Sequence, residues 1–244
     1  MSLRSFSHAL QFLTRLPAPR FAEFDPQDLS RSAIWFPLIG ILVGGGVAAA
    51  TWAGGHGSPW IGALTGLIVW VWITGGLHMD GLGDVADGLA AAHRAPERFL
   101  EVLRDPHVGA FGAMAIGLQL IAKLVLLAEI STTTQLLALV LVPAWARWGT
   151  LVWSLAVPPL ASGSGERFSW EISRPATIAQ GIALVALSLW MAPTLLAALL
   201  VIPALALYWK IRLGGITGDC LGASVEVTES LLLLAIAIGM ATSP

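Results

Sequence analysis

The stretch SPWIGALTGLIVWVWITGGLHMDGLGDVADG, residues 58–88, decides the fold class of this chain. Its first twenty residues carry no charge, and a helix of about 20 apolar residues is long enough to cross a bilayer. Asp80, Asp84 and Asp87 follow directly. Their spacing of four and then three residues places the carboxylates on one face of a helix, because each residue turns a helix by roughly 100°. The stretch therefore predicts a membrane span followed by an acidic helical face.

The composition extends this prediction to the whole chain. The sequence is 56% hydrophobic and 11% charged, with a mean hydropathy of +0.78, which is typical of membrane proteins. We predict an all-α fold, a polytopic membrane helical bundle of about seven transmembrane helices in one domain over residues 1–244. The last predicted span is the outer half of a helix that begins near Asp219. The spans are 33–53, 58–77, 109–129, 135–157, 176–192, 194–211 and 230–243.

A second acidic cluster lies near the other end of the chain, where Asp219, Glu226 and Glu229 again share one side of a helix. A plain solvated acidic surface is the simpler interpretation. The first cluster argues against it, since like charges on one helical face repel and no basic residue lies nearby at helical spacing. Hard cations such as Mg²⁺ take carboxylate, water and phosphate oxygens as ligands. We predict that both clusters converge on one magnesium site, with the ligands Asp80, Asp84, Asp87, Asp219, Glu226 and Glu229.

The basic residues predict the orientation in the membrane. They fall in alternate connections between the predicted spans, whereas residues 54–57, 131–134 and 191–193 contain no Lys or Arg. By the positive-inside rule, the N-terminus and both acidic clusters face the cytoplasm. The basic residues are Arg4, Arg15, Arg20, Arg31, Arg94, Arg98, Arg104, Arg167, Arg174, Lys210 and Arg212.

The N-terminal arm carries an apolar stripe at helical spacing. It predicts an interfacial helix that ends at Pro17, with an ordinary cytoplasmic tail as the alternative. The stripe consists of Leu3, Phe6, Leu10, Leu13 and Leu16.

Two basic residues lie inside predicted spans, where an unpaired charge costs a few kcal/mol. Lys123 is expected either to pair with an acid such as Glu129, to snorkel to the membrane border, or to contact substrate. Arg147 is expected to contact an anionic substrate or the acidic clusters. Arg104 precedes Asp105 and Pro106, where a helix should end, and is either a phosphate clamp or a structural cap.

Five segments of the chain match the motifs of one known family. They are FLTRLP (residues 12–17), FPLIG (36–40), GGLHMDGLGDVADG (75–88), RDPHVG (104–109) and LGGITGDCLGASVEVTE (213–229). In this order they resemble the membrane-bound adenosylcobinamide-GDP ribazoletransferase family, the cobalamin-5′-phosphate synthases. The chain departs from the family pattern at Gly83, where alanine is more frequent, and at Pro106, where serine is usual.

The resemblance implies a magnesium-dependent transferase of the prokaryotic cytoplasmic (inner) membrane. It implies that α-ribazole or α-ribazole 5′-phosphate is joined to adenosylcobinamide-GDP with release of GMP, in the nucleotide-loop assembly step of cobalamin biosynthesis. Its partners would be these two small molecules and the lipid bilayer, without nucleic acid, and a homo-oligomer is an open option. Asp87 is the predicted base, with Asp84 and Arg104 as further catalytic residues. The predicted substrate contacts are Arg15, Arg104, Asp105, Lys123 and Arg147.

Two other functions fit parts of the pattern. A CDP-alcohol phosphotransferase also clusters aspartates on membrane helices, but its signature places Asp-Gly before Ala-Arg and then Gly-x-x-x-Asp-x-x-x-Asp, which this chain lacks. A secondary transporter would favour acids near the midplane and an inverted repeat. Here the acids lie at the predicted cytoplasmic border and no repeat is visible.

Overall fold

The computed structural model describes residues 3–19, 30–92, 97–130, 133–161 and 171–241. Short 3₁₀ turns precede α2 and α9. Arg20, Arg94 and Arg167, which contributed to the predicted orientation, lie outside the described residues. The helices are α1 (Leu3–Leu13), α2 (Phe36–Gly55), α3 (Pro59–Thr74), α4 (Leu77–Ala92), α5 (Arg98–Val102), α6 (Ala110–Ala128), α7 (Thr133–Ala156), α8 (Arg174–Met191), α9 (Ala198–Arg212) and α10 (Gly218–Ala241).

Five helical segments of the described chain are long and apolar enough to cross a bilayer, and six if α3 and α4 count as one bent span. The all-α membrane bundle is therefore confirmed, with a count close to the predicted seven. The predicted span 176–192 forms α8, which carries the polar residues Arg174, Thr177 and Gln180 and is not among these segments. As predicted, the last span is one unbroken helix with the second acidic cluster in its first half.

Helix α7 lies at the centre of the bundle and packs against α2, α8, α9 and α10. Its Trp145 and Trp153 are fully buried. The Trp145 indole N–H donates to the Ser188 hydroxyl on α8 at 2.9 Å, and the Trp153 indole N–H donates to the Ile202 carbonyl on α9 at 2.8 Å. These bonds satisfy both buried indoles and attach α7 to α8 and α9.

Two glycines allow α2 to approach α7 closely. A Cβ atom at Gly40 would lie 2.5 Å from the carbonyl oxygen of Pro143, and one at Gly44 would overlap the carbonyl of Val140. Gly45, the next residue, has no neighbour within 4 Å of the same position. Small residues of this kind let membrane helices pack backbone to backbone.

Two consecutive glycines break the predicted second span. Gly75 and Gly76 have φ angles of +65° and +76°, which residues with a Cβ rarely adopt. The chain bends by 86° between α3 and α4 at this point. The three aspartates of the first cluster therefore lie on a separate helix, and the bend was not predicted.

Helix α1 ends at Leu13, so the prediction that it continues to Pro17 was wrong. The Thr14 hydroxyl accepts a hydrogen bond from the Leu16 backbone at 3.2 Å, which supports a local turn. The backbone N–H of Arg15 donates to the carbonyl of Ile73 at 2.7 Å. This bond attaches the N-terminal arm to the end of α3 and places Arg15 beside the bend.

Candidate active site

Helices α4 and α10 approach each other closely through glycines. A Cβ atom at Gly81 would lie 2.9 Å from the carbonyl oxygen of Asp219, and one at Gly222 would lie 3.4 Å from the Cα of His78. This contact brings Asp219 beside the first acidic cluster, although more than a hundred residues separate them in sequence. The predicted convergence of the two clusters is thus realised for Asp219.

Asp219 thus lies beside the helix that carries Asp80, Asp84 and Asp87, and we call these four residues the aspartate site. Asp84 is partly desolvated, and the charges of the other three aspartates act on its carboxylate. Within the described part of the chain, none of the four forms an ion pair with a basic residue. Carboxylates that repel each other without a basic partner favour a bound cation.

Asp87 has a contact that the sequence did not reveal. Its Oδ2 accepts a hydrogen bond from the Gly109 backbone at 2.7 Å, and its Oδ1 accepts one from Gly112 at 2.9 Å. Both donors belong to the N-terminal end of α6, where backbone N–H groups lack helical partners. Asp87 therefore caps α6, and its roles as general base and metal ligand stay predictions.

Glu226 and Glu229 form ion pairs with Lys123 and Arg147, and we call these four residues the charge network. Lys123 Nζ lies 2.6 Å from Glu226 Oε2 and 2.6 Å from Glu229 Oε2, while Arg147 Nη1 lies 2.7 Å from Glu229 Oε1. All four residues are buried, with at most 5% of their surface exposed. These four residues were predicted as metal ligands or substrate contacts. In the structure they form ion pairs with one another.

These pairs identify partners for the two buried cations, while their predicted contacts with substrate stay predictions. Arg147 contacts the second acidic cluster, which was one of its two predicted partners. Lys123 is ion-paired within the interior, but the suggestion of Glu129 as its partner was wrong. The buried charges need close partners, since desolvation is costly in a low-dielectric interior.

Gln119 forms hydrogen bonds with Glu226 of the charge network, and the sequence analysis did not predict this contact. Its Nε2 donates to the Glu226 carbonyl at 2.8 Å, to Glu226 Oε2 at 3.0 Å and to the Ser230 hydroxyl at 2.9 Å. Lys123 also lies 4.3 Å from the centre of the Trp70 ring, in a cation–π contact. The spacing of four residues between Gln119 and Lys123, on one face of α6, was the available signal.

An open cleft of about 630 Å³ lies between the N-terminal arm and the α3–α4 bend. Arg15 and Asp80 both line it, together with Gln11 and Thr74. The cleft therefore presents one exposed guanidinium and one carboxylate of the aspartate site to the same space. This combination suits a phosphate group that is bound together with a metal ion.

Arg104 and Asp105 lie exposed on the connection between α5 and α6. As predicted, the helix ends before Asp105, at Val102. Asp105 Oδ1 lies 2.6 Å from His107 Nδ1 and accepts a hydrogen bond from the His107 backbone at 3.0 Å. The side-chain hydrogen bond with His107 lowers the pKa of the Asp105 carboxyl. The predicted contacts of Arg104 and Asp105 with substrate stay predictions.

Comparison with known proteins identifies the family of this chain. A family model described as cobalamin-5-phosphate synthase matches residues 5–237, nearly the whole chain. The chain belongs to the cobalamin-5-phosphate synthase family. The match confirms the resemblance that the sequence motifs indicated.

Relatives within the cobalamin-5-phosphate synthase family align over almost their full length. An adenosylcobinamide-GDP ribazoletransferase of Laribacter hongkongensis is 52% identical over 240 residues, which cover 96% of this chain and 97% of the relative. A protein of the same name from Thiobacillus denitrificans is 49% identical over 242 residues, covering 98% and 97%. No solved structure matches the chain.

The described residues contain no preformed group of three or more His, Cys, Asp or Glu side chains arranged to hold a metal ion. Magnesium is commonly bound through one or two protein carboxylates, with water and substrate phosphates completing its shell. The open aspartate site, with Asp80 at the cleft, fits this mode of binding.

Proposed function

We propose that this chain is an adenosylcobinamide-GDP ribazoletransferase of a prokaryotic inner membrane, with its N-terminus and aspartate site facing the cytoplasm. One observation carries the proposal, namely the approach of Asp219 on α10 to the aspartates of α4 beside a cleft lined by Arg15. Two features support it further. The relatives carry this name over nearly the full chain length, and the bundle has several apolar helices long enough to cross a bilayer.

The proposed reaction is a phosphoryl transfer between two substrates. A hydroxyl of α-ribazole or α-ribazole 5′-phosphate attacks the phosphorus that is linked to cobinamide. An oxygen–phosphorus bond forms as the bond from that phosphorus to the bridging pyrophosphate oxygen breaks. The bridging oxygen leaves as part of GMP, and the hydroxyl proton passes to a base.

Magnesium is the proposed cofactor of the aspartate site. Asp80, Asp84 and Asp219 would hold it, since their carboxylates have no basic partner among the described residues. When bound, it would neutralise charge on the pyrophosphate and on the departing GMP. Glu226 and Glu229 are not part of this proposal, because basic side chains already bind their carboxylates.

Arg15 and Arg104 are the proposed phosphate contacts. Arg15 lines the cleft together with Asp80, so that a phosphate bound between them would meet both a guanidinium and the metal site. Guanidinium groups bind phosphate oxygens in pairs, which orients the phosphate as well as binding it. Arg104 lies on the exposed connection that ends at Gly109, where Asp87 is bound. Both residues would therefore hold substrate at the edge of the aspartate site.

An assay with purified protein tests the proposal. The protein in nanodiscs is incubated with adenosylcobinamide-GDP, α-ribazole 5′-phosphate and Mg²⁺, and the products are identified by mass spectrometry. We expect GMP and the completed corrinoid in equal amounts, and neither product with Asp84→Asn. Folded protein that consumes neither substrate would refute the proposal, and ion flux in proteoliposomes would then favour a transporter.

A further inference from the structure

The charge network joins three helices around one carboxylate. Lys123 belongs to α6, Arg147 to α7 and both glutamates to α10. Glu229 bridges the two cations, with Oε2 on Lys123 and Oε1 on Arg147. Helix α10 is therefore attached to two neighbours through one fully buried side chain.

The balance of charge makes these contacts sensitive to the position of α10. Two positive and two negative charges are enclosed, so each has a close partner of opposite sign. A slip of α10 by one residue would move Glu229 by about 1.5 Å and turn it by about 100°. Such a slip would leave buried charges unpaired, which is strongly unfavourable. The charge network thus selects one register of α10.

The contact between α10 and α4 is of a different kind. Gly81 and Gly222 bring the two helices together through glycine and backbone atoms. Close contact between small residues permits a near approach, but it lacks the directional bonds that would select one register. The buried polar contacts of α10 lie further along the helix, at Glu226 and Glu229 of the charge network and at Ser224, whose hydroxyl accepts a hydrogen bond from the Trp209 indole on α9 at 2.7 Å.

Asp219 and Glu226 share one face of α10. They are seven residues apart, which corresponds to about two turns and about 10 Å along the axis. A rigid helix transmits the position of one to the other. Whatever sets the register at Glu226 therefore also sets where Asp219 lies relative to Asp80 and Asp84.

We propose that the charge network positions Asp219 in the aspartate site. Its four members set the register and rotation of α10 against α4, and they touch neither the metal ion nor the substrate. The effect of the charge network on catalysis rests on the proposed function, whereas its effect on the position of α10 does not. Lys123, Arg147, Glu226 and Glu229 are thus positioning residues.

Neutralising one charge and then its partner tests this proposal. Lys123→Met leaves two buried carboxylates with Arg147 as their single cation. Lys123→Met combined with Glu226→Gln restores the balance, because the Arg147–Glu229 pair remains. Ser188→Ala is the matched control, since it removes a buried hydrogen bond between α7 and α8 and leaves the charge network untouched.

The single cysteine of the chain supplies a readout that does not depend on activity. Cys220 is fully buried on α10, next to Asp219. The rate at which a maleimide labels its thiol in folded protein reports how tightly α10 packs against its neighbours. The second set of readouts is kinetic. It consists of kcat, the KM for adenosylcobinamide-GDP and the Mg²⁺ concentration that gives the half-maximal rate.

For Lys123→Met we expect labelling of Cys220 to be at least about tenfold faster and kcat at least about tenfold lower, with KM changed by less than about twofold. The Mg²⁺ requirement should rise as well, because Asp219 is displaced. The double variant should recover both kcat and slow labelling to within about threefold of the wild type. Ser188→Ala should label as slowly as the wild type.

Two results would overturn the proposal. A double variant that is labelled as fast as the single variant would show that charge balance does not fix the position of α10. Unchanged labelling with a raised KM in both variants would show that Lys123 and Glu226 contact substrate instead. If the wild type transfers no ribazole, the proposed function is refuted. The labelling rates still decide whether the charge network fixes the position of α10.

Discussion

The carboxylate of Asp87 accepts a hydrogen bond from the backbone N–H of Gly109 at 2.7 Å, across 22 residues of sequence. The bond joins the helix that carries the first acidic cluster to the N-terminal end of α6. It also accounts for two glycines at this end. A Cβ atom at either Gly109 or Gly112 would overlap the Asp87 carboxylate.

Gly112→Ala should lower the melting temperature by several degrees. The added methyl group would displace the Asp87 carboxylate, and the loss of a helix cap costs about 1–2 kcal/mol of unfolding free energy. Thermal unfolding in a fixed detergent measures the change. Gly117→Ala, on the same helix, is the control, because its Cβ would meet no atom within 4 Å. Equal melting temperatures for the two variants would contradict the cap.

Gly44→Ala should destabilise the packing of α2 against α7. Its Cβ would overlap the backbone of Val140, and overpacking of this kind costs about 1–3 kcal/mol. The adjacent Gly45→Ala should be neutral or stabilising by roughly 0.5–1 kcal/mol, because the site is open and alanine favours a helix. Thermal unfolding again provides the comparison. The prediction fails if Gly45→Ala is the more damaging substitution.

Asp84→Asn should reduce turnover by at least about a hundredfold while the protein remains in the membrane. The substitution keeps the shape of the side chain but removes one negative charge of the aspartate site. GMP release gives the rate, and Glu101→Gln, which loses a 3.7 Å ion pair with Arg98 at the surface, is the control. Near-normal turnover of Asp84→Asn at limiting Mg²⁺ would remove Asp84 from the metal site.

Removal of divalent cations by EDTA should abolish turnover, and added Mg²⁺ should restore it. Asp219→Asn should raise the Mg²⁺ concentration for half-maximal rate by about tenfold or more, because one carboxylate of the aspartate site is lost. A titration of rate against Mg²⁺ measures this shift. Full activity after exhaustive chelation would exclude the proposed cofactor.

Arg15→Gln should raise KM by about tenfold for the substrate whose phosphate lies in the cleft, with little change in kcat. Comparison of α-ribazole with its 5′-phosphate identifies which phosphate that is. If KM rises only with the phosphorylated form, Arg15 binds the 5′-phosphate, and if it rises for adenosylcobinamide-GDP, Arg15 binds the pyrophosphate. Arg98→Gln, at an exposed position of α5, is the control, and equal KM values for both variants would contradict the role of Arg15.

Much of the fold could be predicted because hydropathy and helical spacing are local properties. They located most spans and placed the aspartates on one helical face. The bend at Gly75 and Gly76 escaped prediction, because two adjacent glycines permit positive φ angles but do not require them. The sequence also showed that Lys123 and Arg147 need partners. The acidic clusters were one of the two predicted partners of Arg147, whereas the partners of Lys123 could not be predicted, since they depend on which helices become neighbours.

The site could be predicted less completely. The approach of Asp219 to the first acidic cluster followed from the chemistry of carboxylates, which favours a shared cation. The cap formed by Asp87 has no signature in the sequence, because its donors are backbone N–H groups 22 and 25 residues away. The ion pairs of Glu226 and Glu229 likewise depend on the neighbouring helices α6 and α7, which supply the opposite charges.

The 86° bend between α3 and α4 also determines how far the aspartates lie from one another along the axis of α3. Asp80 and Asp87 are separated by seven residues, or about 10 Å along α4. Had the helix continued straight, that distance would have been a difference in depth across the membrane. Because of the bend, it projects onto the α3 axis as only about 1 Å. The aspartates of α4 therefore lie at nearly the same level along the α3 axis, side by side across the end of α3 rather than one above another.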